Sequence, residues 1–288
     1  MSSFSLSCVV LTMGTRPAEL ERAIDSALSQ TGDPIDVLLI GNGAAIDSPR
    51  SNVRTMALPE NVGIPEGRNV GIEHTESDAI LFLDDDGWYC DNTVADHVRS
   101  RFALEPDLAV ISFRILDPDT LATEQRHVPR LGKSDPLISS DVTAFLGGAC
   151  AIRSSAVKNV GGFPGHFFYG HEESDLAWRL MNAGWRIAYD SDCSMFHPAA
   201  SPSRHADYLR LNARNRVWLV KRNLPLVLAV IHLAVWTAIT IARLGLGSSF
   251  RQWFAGLREG LRTDAGPRRP MKWKTVWAMT TLRRPPII

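Results

Sequence analysis

The stretch Ala79-Ile-Leu-Phe-Leu-Asp84-Asp85-Asp86-Gly87 constrains this chain more than any other. An apolar run without alternation reads as a strand buried on both faces. Three carboxylates follow at once. In an open α/β sheet, ligands bind beyond the carboxyl ends of the strands. The chain therefore puts three negative charges where a ligand would sit. Adjacent carboxylates raise one another's pKa. A hard divalent cation relieves that conflict, and Mg²⁺ is typically held by one or two carboxylates plus substrate phosphates. A solvated acidic turn would account for the same residues without any ligand, since Asp-Asp-Gly is good turn chemistry.

The preceding residues have a strand–helix–strand order. Residues 7–12 read as a strand. After Pro17, Leu20, Ala23, Ile24, Ala27 and Leu28 follow helical spacing, and residues 35–40 read as a second strand. Such a unit closes as a right-handed parallel crossover. Gly41-Asn42-Gly43 comes next, but Ile46 stands where a dinucleotide fingerprint needs its third glycine, which argues against a nicotinamide enzyme. A short strand near 53–57 precedes Asn61-x-Gly63 and Gly67-Arg68-Asn69-x-Gly71, which surround the start of a helix. Arg68 there suits phosphate oxygens, although a surface arginine on a glycine-rich turn would look the same.

Beyond the acidic triplet, residues 91–104 read as helix and 108–113 as strand. Residues 117–142 show no period and are too long for a plain connection, so a functional or mobile loop is expected. Residues 145–152 are apolar again, and Gly147-Gly148 would let a ligand approach the backbone. The turn Gly161-Gly162-Phe163 leads to Glu172-Glu173-Ser174-Asp175, then Trp178 and Arg179. Acidic residues suit a first helical turn. Three are more than a helix start needs, and a pocket that abstracts a proton needs a carboxylate held in reach. Residues 185–189 read as a last short strand, with Asp190, Asp192 and His197 beyond it. A histidine past a strand end, in a chain with an acidic triplet past another, is a candidate metal ligand.

A net charge of zero over 288 residues hides an asymmetry. Residues 1–200 hold 15 basic and 28 acidic side chains, and residues 201–288 hold 16 and 3, so the nets are −13 and +13. The tail also carries a nearly unbroken apolar run at 224–242 with basic flanks from Arg204 to Arg222 and from Arg243 to Arg284. Its length is near the ~20 residues of a spanning helix. A single span would carry one basic flank across the membrane, against the positive-inside preference. A helix in the interface, on anionic headgroups, fits better, and the tail tryptophans suit that boundary. A helical subdomain packed on the rest of the chain or in a homodimer is the alternative. Nucleic acid is not an expected partner. The widely spaced Cys8, Cys90, Cys150 and Cys193 read as free thiols of a reducing compartment, and the N-terminus shows no signal-peptide pattern.

Taken in order, these motifs resemble the inverting glycosyltransferases of family 2, with the GT-A fold. The resemblance covers roughly residues 5–200. It rests on Asn61-x-Gly63…Arg68-Asn69-x-Gly71, on Phe82-Leu-Asp84-Asp85-Asp86, and on Gly161-Gly162-Phe163…Glu172-Glu173-x-Asp175-Leu…Arg179. It implies an α/β fold with a mainly parallel twisted sheet flanked by helices. A nucleotide-sugar half would occupy about 1–115, an acceptor half about 116–202, and a helical membrane-associating region 203–288. Asp84 and Asp86 match the pair that holds Mg²⁺ or Mn²⁺ with the donor diphosphate, and His197 matches a histidine that completes the metal site. Thr12, Arg16, Asn42, Arg68, Asn69, Asp84 and Asp85 would face the donor, with UDP expected ahead of GDP or dTDP. Gly147, Gly148, Glu172 and Trp178 would lie on the acceptor side. Glu173 falls on the catalytic-base position, where the family usually has Asp, with Asp175 as its rival. Gly41 departs from an aspartate that helps the family recognise the base. The implied acceptor is a glycan or lipid-linked glycan of the cell envelope, at the cytoplasmic face of the membrane. A non-catalytic nucleotide-sugar or carbohydrate-binding protein is the competing reading.

Overall fold

The computed structural model describes residues 4–46, 50–132, 134–198 and 207–288. The expected domain boundary at 202–203, Arg204 and part of the loop after Ile46 lie outside these residues. The first half runs β1 (Leu6–Thr12), α1 (Pro17–Leu28), β2 (Asp36–Gly41), β3 (Val53–Ala57), α2 (Ile64–Glu73) and β4 (Ala79–Asp84). Its four strands are parallel in the order β3-β2-β1-β4. The apolar run of β4 is buried on both faces. Ile80 and Phe82 enter one core, while Ala79, Leu81 and Leu83 enter the other. Pro17 opens α1, where its missing N–H costs nothing.

After β3 the chain returns to the far side of β1. The strand order therefore reverses between β1 and β4, and such switch points are where α/β sheets bind ligands. Leu11 and Asp84 are register partners, so Thr12 and the acidic triplet leave the sheet side by side.

The second half comprises β5 (Trp88–Tyr89), α3 (Val94–Leu104), β6 (Leu108–Leu116), β7 (Ser140–Asp141), β8 (Ala149–Arg153), α4 (Ser154–Val160), α5 (Glu172–Ala183) and β9 (Arg186–Phe196). The sheet continues β4-β8-β6-β9-β5, with β7 on β9. β8 is antiparallel to both neighbours and β9 is parallel to β6, so this half is mixed. Only the end of the apolar segment 145–152 is strand. Its Gly147-Gly148 pair stays in a turn. The expected short strand at 185–189 is the start of an 11-residue strand. Asp190 hid this, because a carboxylate in an apolar run reads as a stop. It is buried and takes an ion pair from Arg101 at 2.6 Å.

Four helices follow: α6 (Tyr208–Asn223), α7 (Leu226–Leu244), α8 (Ser248–Arg262) and α9 (Trp273–Thr281). Gly256 and Gly260 of α8 lie against the α6 backbone at Arg210 and Arg214, where a Cβ would collide. Glu259 between them takes ion pairs from Arg210 and Arg214. α9 is tied to α5, since the Lys272 N–H that precedes it donates to Asn182 Oδ1 at 2.8 Å. The tail is thus docked on the α/β body through named polar contacts. α7 is different. It is long and apolar enough to cross a membrane by length and composition, with mean hydropathy 1.9, yet only 11% of its most apolar window is buried.

Candidate active site

The acidic triplet does not behave as three like charges crowded together. Each carboxylate faces a cation or donor, with Arg16 shared by two of them. Asp84 Oδ1 receives Arg68 Nη2 at 3.2 Å. Asp85 turns inward, taking the Thr12 hydroxyl at 2.6 Å and Arg16 at 2.7 Å. Asp86 pairs with Arg16 and lies 3.2 Å from His197 Nε2. Burial pushes Asp85 above the usual carboxylate range, and Thr12 and Arg16 offset this only in part. Burial alone would also raise Asp86, but the hydrogen bond and charge of His197, with Arg16, outweigh it and hold Asp86 low.

Arg68 organises the site. It is 4% exposed and projects from α2 between β4 and α5. One end of its guanidinium faces Asp84, and its Nη1 lies 3.3 Å from Glu173 Oε1. Burial would lower its pKa, but Asp84, Glu173 and Glu172 outweigh that and keep it charged. Gly147 and Gly148 are glycines for a related reason. A Cβ at Gly147 would strike Arg68 and Glu173, and one at Gly148 would strike Asp84. The bare backbone admits the protein's own charged side chains, and the Gly147 N–H donates to Glu173 Oε1 at 3.3 Å.

Around these groups lies a cavity of about 360 Å³. Asp84, His197, Glu172, Glu173, Arg68 and the Gly147-Gly148 pair all line it. Glu172 is 3% exposed, and its Oε2 has no hydrogen-bond partner. Burial, with Glu173 beside it, raises its pKa to about 8 despite Arg68. Asp175 is fully buried on another face of α5. It is held by Arg179 at 2.6 Å, Arg222 at 2.8 Å and Asn223 at 2.7 Å. This corrects its candidacy as a base, because no acceptor hydroxyl can reach it.

With this geometry in hand, comparison with known proteins is decisive. A family model described as glycosyl transferase family 2 matches residues 7–161, more than half of the chain. The chain belongs to glycosyl transferase family 2. A second model, the N-terminal domain of galactosyltransferase, matches residues 131–196. The "Pre-mycofactocin glycosyltransferase" of Mycobacterium tuberculosis is 30% identical over 68% of this chain and 44% of its own length. This family 2 chain thus spans less than half of that relative. The "N-acetylglucosaminyl-diphospho-decaprenol L-rhamnosyltransferase" of the same organism is 24% identical over 74% of this chain and 86% of its own. Among solved structures, GalNAc-T7 with UDP, GalNAc and Mn²⁺ superposes with a TM-score of 0.66 at 12% identity, over 99% of this chain and 59% of that one. A mannosyltransferase from Pyrobaculum calidifontis with GDP-Man and Mn²⁺ gives 0.57 at 16%, over 96% and 84%. These structural likenesses establish the GT-A-type fold.

The family implies a divalent cation, and the donor chemistry of Asp84, Asp86 and His197 would suit one: Asp86 and His197 stand 3.2 Å apart, while Asp84 is turned to Arg68 at 3.2 Å. Asp84 and Asp86 would offer hard oxygen ligands, and His197 would add an imidazole of a type Mn²⁺ accepts. Both ring nitrogens of His197 face acceptors, Nδ1 the Pro198 carbonyl at 2.8 Å and Nε2 the Asp86 carboxylate at 3.2 Å, and against the lowering effect of burial these partners raise its pKa.

Several expected site residues have other work. Asn42 donates to Asn61 Oδ1 and the Gly63 carbonyl and accepts from the Val62 N–H, so it holds the loop before α2. Asn69 accepts from the Phe163 N–H and donates to its carbonyl, tying α2 to the Gly161-Gly162-Phe163 turn. Trp178 is absent from the cavity and lines a second one against α7. Gly41 has no room for the family's aspartate, because a Cβ would strike Ala44 and Ile46. Residues unseen in the sequence do line the site. His127 comes from a single 3-10 turn in the aperiodic loop, and its ring meets His197 edge-on at 6.4 Å. Burial, with Arg126 and His197, lowers its pKa to about 4, so it is neutral. Tyr208 and Asn212 come from α6, beyond the expected end of the catalytic region. Neither carries a local signal, because their role depends on how the tail docks.

Proposed function

We propose that this chain transfers a sugar from a nucleotide diphosphate sugar to a hydroxyl of a cell-envelope glycan or lipid-linked acceptor, with inversion and with divalent-metal dependence. The observation that carries this is one cavity lined both by Asp84 and His197, which suit a metal and a diphosphate, and by Glu173, which suits a proton acceptor, with Arg68 paired to Asp84 and Glu173. Asp86 stands 3.2 Å from His197. A cation held by Asp84, Asp86 and His197 supplies charge neutralisation on the departing diphosphate. Glu173, oriented by Arg68 and the Gly147 N–H, takes the proton of the acceptor hydroxyl. The hydroxyl oxygen attacks the anomeric carbon opposite the leaving diphosphate, and a single displacement inverts that carbon. Asp84 and Glu173 share Arg68, so charge changes at either end are felt at the other.

Relatives named for rhamnosyl transfer support an envelope acceptor. Apolar exposure of α7 supports work at a membrane surface, peripheral or monotopic. The first test is a thermal-shift screen of UDP-, GDP- and dTDP-sugars with Mn²⁺, followed by product analysis with lipid-linked acceptors. One donor should raise Tm in a metal-dependent way, and Asp86→Ala should lose that shift when each protein is read against its own unliganded Tm. Donor binding with unchanged metal dependence in Asp86→Ala would sink the metal assignment. Binding without transfer or hydrolysis would favour a nucleotide-sugar-binding protein.

A further inference from the structure

A second cavity, of about 120 Å³, lies where α5, α6, α7 and the segment after α9 meet. Its lining combines apolar side chains with a cluster of donors. Arg216 of α6 and Arg284 face it, with His171, His232 and Trp236 around them. Among the described residues no Asp or Glu side chain lines it. Arg216 is the odd one among the arginines of α6. Arg210 and Arg214 pair with Glu259, and Arg222 pairs with Asp175. Arg216, only 8% exposed, has neutral company: His232 Nε2 at 3.2 Å and the Trp236 ring at 3.7 Å. Burial without a carboxylate holds its pKa down at about 9. Arg284, half-buried, likewise has no carboxylate partner among the described residues. The indole Nε1 of Trp236 and the Nε2 of His171 are both buried without hydrogen-bond partners.

A buried guanidinium without an opposite charge is costly, and an anion relieves that cost. Arginine forks match phosphate oxygens in particular. Placement narrows the source. His171 lines this cavity, while its neighbours Gly170, Glu172 and Glu173 line the catalytic one, so a single turn of chain separates the two. On the other side, His232 and Trp236 belong to α7, whose Leu226, Val227 and Val230 are 73%, 56% and 68% exposed. An anion here sits between a sugar-transfer site and the inner side of α7, whose opposite side is the exposed apolar face. We propose that Arg216 and Arg284 bind a phosphate group carried on a lipid, and that this holds a lipid-linked acceptor with its sugar towards Glu173. The orientation towards Glu173 rests on the transferase reading; the phosphate site does not.

The test uses the full chain in detergent, without donor and without divalent cation. The probes are geranyl diphosphate, as a soluble lipid diphosphate, and phosphatidylglycerol vesicles set against neutral phosphatidylcholine ones. Geranyl diphosphate should bind saturably and raise Tm. Arg284→Gln, at the less buried position and checked for an unchanged unliganded fold, should weaken binding roughly tenfold or more. Arg216→Lys, which keeps the charge and loses the fork, should weaken it as well. Asp86→Ala should bind like wild type, which separates this site from the donor's. Protection by phosphatidylglycerol alone, with the same Arg284 dependence, would assign the phosphate to a membrane headgroup. Binding untouched by Arg284→Gln, or absent with both probes, overturns the proposal. With no donor or metal present, failure here leaves sugar transfer standing, and failure of sugar transfer leaves the phosphate site standing.

Discussion

At the scale of single residues, the two adjacent glutamates of α5 divide by environment. Glu173 is a quarter exposed at its side chain and is steered by Arg68 and the Gly147 N–H. Glu172 is shut away, with one oxygen unpaired. Replacing Glu173 by Gln keeps the shape and removes the proton acceptor, so turnover should fall by ~10²–10⁴-fold with little change in donor affinity. Steady-state rates beside donor titration check this, and near-normal turnover would exclude Glu173 as the base. Glu172 makes a different forecast. Its pKa is raised to about 8 in the folded chain, against roughly 4.3 when unfolded. The folded state therefore binds the extra proton between those values, and stability is lost as pH rises through that window. Glu172→Gln should leave Tm unchanged near pH 4 and raise it relative to wild type at pH 8 to 9. Parallel Tm profiles for the two proteins would show that Glu172 titrates normally.

At the scale of elements, the chief joint is between α5 and α6. Asp175 is the i,i+4 partner of Arg179, a pairing legible from spacing, but Arg222 and Asn223 reach the same carboxylate from α6. Asp175→Asn should destabilise the chain by about 3–5 kcal/mol, the usual cost of breaking a buried pair by removing one partner. Denaturant unfolding measures this, and a change under about 1 kcal/mol would mean the joint carries little. The burial of Asp175 opposes its charge, but Arg179 and Arg222 win and hold its pKa below the usual range. Its stabilising effect is thus full above the unfolded value of roughly 3.9 and is lost as pH falls through the lower folded value. Wild type and Asp175→Asn should therefore converge in stability on acidification. The same joint marks where the sequence stopped being informative. β4, α1 and the acidic triplet were legible because apolar runs, Pro17 and consecutive carboxylates are local signals. His127, Tyr208 and Asn212 were not, because a residue's place in a cavity wall depends on the packing of distant segments. Asn42, Asn69 and Trp178 show the converse, since the structure gives each hydrogen bonds or packing that no local signal announced. Polar or aromatic residues beside a site look like ligands until their hydrogen bonds and packing are known.

At the scale of the molecule, the charge asymmetry in the sequence becomes a spatial one. The tail that carries it also carries apolar side chains turned to solvent. Trp273 and Trp277 of α9 are 61% and 71% exposed, and Phe254 of α8 is 44% exposed. Exposed Arg243, Arg251, Arg258 and Arg262 belong to the same region. Large exposed apolar patches mark interaction sites, and arginines near one would favour anionic headgroups. His232, the ionisable residue inside the apolar run, does not contradict this. It is 2% exposed and packs inward, its Nδ1 2.7 Å from the Pro286 carbonyl. The outer face of α7 is left apolar. The full chain should therefore bind vesicles containing phosphatidylglycerol and bind neutral vesicles far less. Binding should weaken between low and high salt, since surface charge attraction is screened within about 10 Å at 0.1 M. Replacing Trp273 and Trp277 together by Ser should reduce binding at every salt concentration, because burial of their rings does not depend on ionic strength. Vesicle sedimentation across a salt series separates the two contributions. A full chain that stays in the supernatant with anionic vesicles at low salt would refute membrane association, and it would leave the α7 face to be covered by protein.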